Sequence, residues 1–476
     1  MSALWTLDAL KVATAARLSG EPAREFGGVS IDSRTIAPGD VFFAIKGDRV
    51  DGHDYVGNAL ARGAALAVIA DEKLAVMPTS APLVIVPDVL DALRALARAA
   101  RVRSQAKVIA VTGSAGKTGT KDALALALAR EGETHASTAS FNNHWGVPLS
   151  LARLSETARF AVFELGMNHA GEIEPLAKLV RPHVALVTTI EAVHLEFFKD
   201  IEAITDAKAE IFLGVEPEGA AILPRDNPQY ARLADAARKA QVGRIVGFGE
   251  HKDAEARLLD VALIADCSTV RAHILGDDVD YKVGAPGKHL VLNSLAVLAA
   301  VKLAGADLAI AALALAGLVP PTGRGRRIEL DLGSGKALLI DESYNANPAS
   351  MRAALEVLGQ APIGRRGRRI AVLGDMLELG PDAADLHRGL FDAVGAARID
   401  LVFCAGPLMR ELWDALPSVV RGGYAETAAE LPSELIAAVR VGDAIMVKGS
   451  NGSRMGPVVQ ALMERFHAPA AANATA

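Results

Sequence analysis

One glycine-rich run, VIAVTGSAGKTGTK at residues 108–121, combines the residue types that bind a polyphosphate. The β-branched residues that open it predict a buried parallel strand, and residues 121–130 predict a helix. Gly113 and Gly116 allow backbone N–H groups to curl around phosphate oxygens, and the helix N-terminus adds partial positive charge. The run therefore predicts a nucleotide-phosphate site between a strand and a helix.

Two side chains inside this run could act directly on a nucleotide. Lys117 can reach the β- and γ-phosphates, and the Thr118 hydroxyl is placed to ligate Mg²⁺. The longer pattern G-x-x-x-x-G-K-[ST] would need a glycine where this chain has Val111, so the match is partial. A bare G-K-T also occurs in ordinary strand–helix turns. The flanking strand and helix are what favour nucleotide binding.

Composition narrows the class of protein. A chain of 476 residues is too long for one core and predicts about three domains. A net charge of −6 argues against wholesale nucleic-acid binding, and the basic cluster at 365–369 is interpreted as a solvated loop. The distant Cys267 and Cys404 predict free thiols in a reducing compartment. We find no signal-peptide pattern or membrane-spanning stretch, so we expect a cytoplasmic protein.

Alternating strand and helix patterns divide the chain into three α/β zones. We place them at 1–103, 104–318 and 319–467, with a frayed tail at 468–476. Predicted strands lie at 41–45, 65–70, 83–86, 161–164, 184–189, 220–223, 244–247, 337–341, 370–373, 401–404 and 444–447. Helices are predicted at 89–103 and, interrupted at Gly305 and Asp307, over 293–319. This alternation predicts parallel, doubly wound sheets.

Polar residues that follow predicted strands are the candidate site, because open α/β sheets bind ligands beyond the carboxyl ends of their strands. A carboxylate such as Glu164 suits Mg²⁺, although a loop glutamate explains the residue equally well. His194 could be a ligand or an ordinary loop residue. From its sequence context alone, Lys208 is interpreted as a solvated lysine on a helix. The rule selects residues 112–118, Glu164, the His194 loop, 341–347, Asp375 and 448–453.

Taken in order, these segments resemble the Mur ligase family, the ATP-dependent amide-forming enzymes of peptidoglycan synthesis. The resemblance covers essentially the whole chain. It rests on TGSAGKTGTK, FNNHWGVPLS, ELGMNHAGEI, the His194 loop, AKAEIF, PGKHLVLNSLA, TGRGRRIEL, DESYNANPASM and VKGSNGSRM. DESYNANPASM and the N-terminal SIDSRTIAPGDVFFAIKGDRVDGHDYV are most similar to the branch that adds D-alanyl-D-alanine. The family usually has Asn or Ser at Ala115 and Thr at Gly119, so the resemblance does not extend to side-chain contacts there.

The resemblance implies a role for each candidate residue. Lys117, His194 and Lys208 would be catalytic. Thr118 and Glu164 would hold one Mg²⁺, and His194 with a carbamylated Lys208 would hold a second. ATP would bind to Gly113, Ser114, Ala115, Gly116, Lys117, Thr118, Gly119 and Asn293, to Arg324 through phosphate and to Asp341 through ribose. The UDP-sugar would bind to Ser30, Asp32, Ser33, Arg34, Lys46, Gly47, Arg49, Asp51 and His53. The incoming dipeptide or the peptide would meet Asn345, Asn347, Lys448 and Ser450.

The implied fold has a small α/β N-terminal domain, a central P-loop domain with a doubly wound, mostly parallel sheet, and a Rossmann-like C-terminal domain. The implied reaction joins D-alanyl-D-alanine to UDP-N-acetylmuramoyl-tripeptide through an acyl phosphate, using ATP and Mg²⁺. We expect a monomer without nucleic-acid or membrane partners. The alternatives are the Mur ligase that adds the third residue, a folylpolyglutamate synthetase, or a P-loop phosphotransferase or switch. The third residue itself, diaminopimelate or lysine, stays open.

Overall fold

The computed structural model describes residues 3–78, 80–137, 141–192 and 196–466. His194 and the predicted tail at 468–476 lie outside these residues. Within the described ranges, the strands form sheets of five, nine and six strands and one two-stranded ribbon. No helix in those ranges is both long and apolar enough to cross a bilayer.

The N-terminal region is built on the five-stranded sheet, in the order β2-β7-β6-β5-β4. Strands β4 to β7 run parallel, and β2 pairs antiparallel with β7. Its strands are β1 (Trp5–Thr6), β2 (Arg17–Ser19), β3 (Glu25–Phe26), β4 (Gly28–Ser30), β5 (Asp40–Phe43), β6 (Leu66–Ala70) and β7 (Leu83–Val86). Its helices are α1 (Leu7–Thr14), α2 (Val56–Ala61) and α3 (Val89–Arg103).

The central region carries the nine-stranded sheet. Its strands are β8 (Lys107–Thr112), β9 (Thr134–Ala136), β10 (Phe160–Glu164), β11 (Val184–Val187), β12 (Ala220–Pro224), β13 (Arg244–Gly249), β14 (Ala256–Leu263), β15 (Ser268–Ile274) and β16 (Asp277–Val283). Its helices are α4 (Lys117–Leu128), α5 (Gly146–Ala152), α6 (Ile173–Val180), α7 (Ile201–Ala209), α8 (Tyr230–Lys239), α9 (Lys288–Leu303) and α10 (Leu308–Ala314).

The order of this sheet, β16-β15-β14-β13-β12-β11-β8-β10-β9, places β8 between β10 and β11. All three strands are parallel, so their carboxyl ends meet at one edge. Alternate residues of β8 serve opposite cores: Ile109 and Val111 face α4 and α9, whereas Val108 and Ala110 face α5 to α8. Burial on both faces is why the strand reads as a continuous apolar run.

The C-terminal region carries the six-stranded sheet, in the order β17-β18-β22-β19-β20-β21. Because β18 and β22 are parallel neighbours, the residues that follow them lie side by side. The strands are β17 (Arg326–Asp331), β18 (Lys336–Glu342), β19 (Arg369–Gly374), β20 (Leu401–Ala405), β21 (Arg421–Ala425) and β22 (Ala444–Lys448). The helices are α11 (Pro348–Gln360), α12 (Ala383–Arg388), α13 (Phe391–Ala396), α14 (Arg410–Ala415), α15 (Pro432–Ala438) and α16 (Gly456–Arg465).

The predicted α/β fold class is confirmed, with helices on both faces of mostly parallel sheets. Details of individual elements differ from the prediction. The helix predicted from residue 121 begins at Lys117, directly after the phosphate loop. The antiparallel extension β14 to β16 was not predicted, because its exposed, charged strands lack a continuous apolar run.

Candidate active site

The phosphate loop connects β8 to α4, and two of its glycines have positive φ. Gly113 has φ 142°, and a Cβ there would lie 2.0 Å from Thr188 Oγ1. Gly116 has φ 80°, and a Cβ there would lie 2.6 Å from Nδ2 of Asn293. Both positions therefore require glycine for conformation and for space. The Asn293 amide, contributed by α9, consequently rests against the loop.

Lys117 is the first residue of α4, and its ammonium folds back over the loop. Its Nζ donates to the Gly113 carbonyl over 2.8 Å. Burial lowers the pKa of Lys117, Glu164 opposes that shift, and Arg324 adds to it. A cation held at the mouth of a glycine loop is well placed to bind phosphate.

Both oxygens of the Glu164 carboxylate, at the end of β10, are hydrogen-bonded. Thr118 Oγ1 donates to Oε2 and Asn142 Nδ2 donates to Oε1, each over 2.8 Å. The Glu164 side chain is almost completely buried. One carboxylate and one hydroxyl beside a phosphate loop fit Mg²⁺, which takes few protein ligands and completes its shell with phosphate and water. Among the described residues, no group of three His, Cys, Asp or Glu forms a metal site.

Lys208, on α7, is 2% exposed, so the solvated lysine that its sequence context favoured is wrong. In the described part of the chain, Nζ of Lys208 has no hydrogen-bond or ion-pair partner. Burial, reinforced by repulsion from Lys117, holds the pKa of Lys208 well below its ordinary range. An amine of depressed pKa is nucleophilic near neutral pH, which suits it to covalent modification.

A cavity of about 1010 Å³ lies between the central and C-terminal regions. The phosphate loop, Glu164 and Asn293 line it from the central side. From the opposite side, Arg324 stacks its guanidinium 4.0 Å above the Tyr344 ring. Lys117 and Arg324 therefore face the same space from two regions.

Of the predicted peptide-binding residues, three line this cavity. They are Asn345, Asn347 and Lys448. Lys448 Nζ donates to the Asn345 carbonyl over 2.8 Å and lies 3.3 Å from Oε2 of Glu342. Asn347 caps α11 through a capping box with Ser350. Ser450 is buried and does not line the cavity, and its hydroxyl donates to the Ala346 carbonyl over 3.2 Å.

Asp341 does not line the main cavity. Its carboxylate accepts hydrogen bonds from the Gly323 N–H over 2.9 Å and from the Ser343 hydroxyl over 2.6 Å. It borders a second, more open cavity of about 500 Å³ beside α16. In this structure Asp341 therefore organises the segment that carries Arg324.

The predicted UDP-sugar residues lie in the N-terminal region, and none of them lines the main cavity. Asp32 forms an ion pair with the exposed Arg34, and Lys46 and Arg49 are exposed. Ser30 and Ser33 are buried. A Cβ on Gly47 would lie 2.7 Å from the Trp145 ring, so this region adjoins the turn that ends at α5.

Asp51 and His53 form a turn with buried contacts. The Asp51 carboxylate lies 2.6 Å from His53 Nδ1 and 2.7 Å from Nζ of Lys73. On its other side, His53 Nε2 accepts the Ala70 N–H over 3.0 Å. These contacts of Asp51 and His53 therefore stabilise the conformation of the turn.

Sequence reasoning assigned no role to Glu172, Glu191 or Glu342, although all three line the main cavity. Glu342 ends β18 and lies within the segment 341–347 that the strand-end rule selected, although no role was assigned to it. Glu191 follows β11 closely. Burial raises the pKa of Glu191, while the Thr189 hydroxyl and Arg352 lower it in part.

Sequence comparison covers the same three regions. Family models match as follows: the Mur ligase family catalytic domain at 25–101, the Mur ligase middle domain at 111–301, and the Mur ligase glutamate ligase domain at 326–451. UDP-N-acetylmuramoyl-tripeptide–D-alanyl-D-alanine ligase of Rickettsia prowazekii is 31% identical over 456 residues, which cover 96% of this chain and 99% of that protein. The chain belongs to the Mur ligase family.

Two further Mur ligases share this likeness. The Escherichia coli protein of the same name is 36% identical over 437 residues, which cover 92% of this chain and 93% of its own. The crystal structure of MurF from Acinetobacter baumannii has a TM-score of 0.83 at 30% identity, covering 97% of this chain and 99% of that one. The Mur ligase match thus includes the phosphate loop, β10 and the strands that face them across the cavity.

Proposed function

We propose that this Mur ligase joins D-alanyl-D-alanine to the terminal carboxylate of UDP-N-acetylmuramoyl-tripeptide, with conversion of ATP to ADP and phosphate. The product would be the UDP-muramoyl-pentapeptide precursor of peptidoglycan. The observation that carries this proposal is the single cavity in which the phosphate loop faces Arg324, Asn345 and Lys448. A nucleotide and a peptide substrate can meet there.

ATP would lie on the phosphate loop, with backbone N–H groups around its phosphates and Lys117 on the β- and γ-phosphates. Arg324 would reach the phosphates from the C-terminal side, and Asn293 would contact the nucleotide beside Gly116. Asp341 would need to move toward the main cavity to bind ribose. That requirement favours a rotation of the C-terminal region on nucleotide binding.

Thr118 and Glu164 would hold one Mg²⁺, and His194 with a carbamylated Lys208 would hold a second. The buried Lys208 amine, with its low pKa and no partner in the described residues, supports addition of CO₂, which would turn a cation into an anionic oxygen donor. When bound, the two ions would neutralise charge on the phosphates and on the attacking carboxylate.

The chemistry needs activation because a carboxylate is a poor electrophile. An oxygen of the tripeptide carboxylate would attack the γ-phosphorus, and the bond to ADP would break, which leaves an acyl phosphate. The dipeptide amine would then attack the carbonyl carbon, lose a proton and expel phosphate. Lys117 and Arg324 would offset the repulsion between the two anions in the first step. Lys448, Asn345, Asn347 and Ser450 would shape the peptide site.

The UDP-sugar would be held by nine residues of the N-terminal region: Ser30, Asp32, Ser33, Arg34, Lys46, Gly47, Arg49, Asp51 and His53. We divide the chain into an N-terminal domain at 1–103, a central domain at 104–318 and a C-terminal domain at 319–467. We also propose that the enzyme acts as a monomer in the cytoplasm, without nucleic-acid or membrane partners.

A coupled assay tests the function. We expect ADP release that requires both UDP-muramoyl-tripeptide and D-alanyl-D-alanine, measured with the diaminopimelate and lysine forms of the tripeptide in turn. Release with a single amino acid in place of the dipeptide would point to the ligase that adds the third residue, and release with folate and glutamate to a folylpolyglutamate synthetase. ADP release without either substrate would overturn the ligase proposal. Full activity of Lys208→Ala would overturn the carbamate proposal and leave the ligase proposal standing.

A further inference from the structure

Glu210 ties together two segments that carry candidate metal ligands. It opens the 3₁₀ turn Glu210–Gly214, directly after α7. Its Oε1 accepts the Gly171 N–H over 2.6 Å, and its Oε2 accepts the N–H groups of Ile173 and Glu174, each over 3.1 Å. One carboxylate thus binds three backbone amides of another segment.

Each of the two segments carries a candidate metal ligand or a residue that lines the main cavity. Lys208 lies two residues upstream of Glu210, in the last turn of α7, and is buried near Lys117. On the other side, the amides belong to the loop that starts at Glu164 and ends at α6. Gly171 and Glu172 of that loop line the main cavity. Glu210 therefore bridges the backbone that carries Glu164 and the helix that carries Lys208.

Glu210 supplies the backbone hydrogen bonds at the end of this loop, where Ile173 is also buried in the core. The N-cap residue of α6, Glu172, makes no capping hydrogen bond, and its carboxylate instead accepts the Asn168 N–H over 2.7 Å. The 3₁₀ turn and α6 are in direct backbone contact, since a Cβ on Gly214 would lie 2.1 Å from the Ala177 carbonyl oxygen. The two backbones are close enough for Glu210 to set the position of one against the other.

We propose that Glu210 is a positioning residue that fixes the separation of Glu164 and Lys208, and thereby the affinity for Mg²⁺. Glu210 does not line the main cavity itself. Both oxygens of the Glu210 carboxylate must accept hydrogen bonds. A glutamine amide has only one acceptor oxygen, and its NH₂ group would face a backbone N–H. This inference rests on the proposed ligase function only in the experiment that measures ADP release.

The test uses the full-length protein with Glu210→Gln and Glu210→Ala. Glu174→Gln is the matched control, because Glu174 lies in the first turn of the same helix and pairs only on the surface with Lys178 over 2.5 Å. The measurements are the Mg²⁺ dependence of ADP release, calorimetric titration with ADP at several Mg²⁺ concentrations, and the carbamate signal after incubation with ¹³C-bicarbonate. Melting temperatures report folding.

We expect Glu210→Ala and Glu210→Gln to raise the Mg²⁺ half-saturation about tenfold, the usual size for a residue that supports a metal ligand. The carbamate signal should weaken, while ADP affinity without Mg²⁺ and the Glu174→Gln protein stay as in wild type. Unchanged Mg²⁺ dependence and carbamate signal, or losses that follow only the unfolded fraction, overturn the proposal. Calorimetry and the ¹³C signal remain valid if the wild type releases no ADP with the dipeptide, so failure of the ligase function is seen separately.

Discussion

Asn142 Nδ2 donates a hydrogen bond of 2.8 Å to Oε1 of Glu164, the oxygen that Thr118 leaves free. The contact is reinforced by the backbone, because the Gly166 N–H donates to the Asn142 carbonyl over 2.8 Å. Asn142 therefore fixes the direction in which the Glu164 carboxylate faces the phosphate loop. A carboxylate that must receive a metal needs this second support.

Replacing Asn142 with alanine should weaken Mg²⁺ binding. Without the amide, Glu164 can rotate, so we expect the Mg²⁺ half-saturation of ADP release to rise by about tenfold or more. Asn143→Ala is the control. Its Oδ1 accepts the N–H groups of Trp145 and Gly146 at the start of α5, so its loss should cost about 1 kcal/mol of stability and leave Mg²⁺ dependence unchanged. Equal Mg²⁺ dependence in the two variants would contradict the role of Asn142.

Gly116, the last residue of the phosphate loop, and Gly119, in the first turn of α4, should respond oppositely to alanine. Gly116→Ala meets both a φ of 80° and the Asn293 amide 2.6 Å away, so the loop must distort and ATP binding should fall at least tenfold. At Gly119, the described atoms leave a Cβ free of any neighbour within 4 Å. Gly119→Ala should keep ATP affinity and raise the unfolding free energy by about 0.5–1 kcal/mol, because alanine favours a helix. Nucleotide titration and thermal melting measure both effects, and tight ATP binding by Gly116→Ala would refute the steric argument.

Sequence predicts the parts of this site that local chemistry dictates. Lys117 and Thr118 stand in a contiguous motif. The apolar run of β7 and the Ala- and Arg-rich pattern of α3 were predicted with the observed bounds, because β7 is buried throughout and α3 is buried along one face. Lys208 was different. Its neighbours along the chain do not indicate its burial, which results from packing of α7 against the core on one face of the central sheet.

Contacts between segments that are distant in the sequence were also not predicted. The Asn142–Glu164 bond depends on the register of β10 beside β8, and Glu210 reaches α6 only because two backbones touch. Likewise, Asp341 follows a strand as predicted, yet its oxygens are taken up by Gly323 and Ser343. The strand-end rule finds the edge of the sheet but not the direction of each side chain.

Tyr344 should position Arg324 for the nucleotide through its ring. The guanidinium lies 4.0 Å above the ring, a cation–π contact worth about 0.5–2 kcal/mol, or roughly twofold to thirtyfold in an equilibrium constant. Tyr344→Ala should therefore raise the KM for ATP within that range. Tyr344→Phe keeps the ring face and should stay close to wild type. If the phenylalanine variant were as impaired as the alanine variant, the hydroxyl and not the ring would be the functional group.

The buried His387 should make the stability of the protein fall in acid. Its Nδ1–H donates to the Ala383 carbonyl over 2.6 Å, and its Nε2 accepts the Met376 N–H over 2.9 Å, so both nitrogens are satisfied in the neutral ring. Burial lowers the pKa of His387 in the folded state, opposed in part by the Ala383 bond and by Asp375 and Glu411. Protonation would set a second N–H against that of Met376.

Below the unfolded-state pKa of about 6.5, the unfolded chain therefore binds a proton that the folded chain resists. The unfolding free energy should decrease from pH 7.5 to pH 5.5, with a slope from His387 of at most about 1.4 kcal/mol per pH unit. His387→Gln should be less stable at pH 7.5 because the ring fits its two partners, yet its stability should fall less on acidification. Thermal melts of both proteins across this pH range measure the difference, and parallel curves for the two would show that His387 takes no part in it.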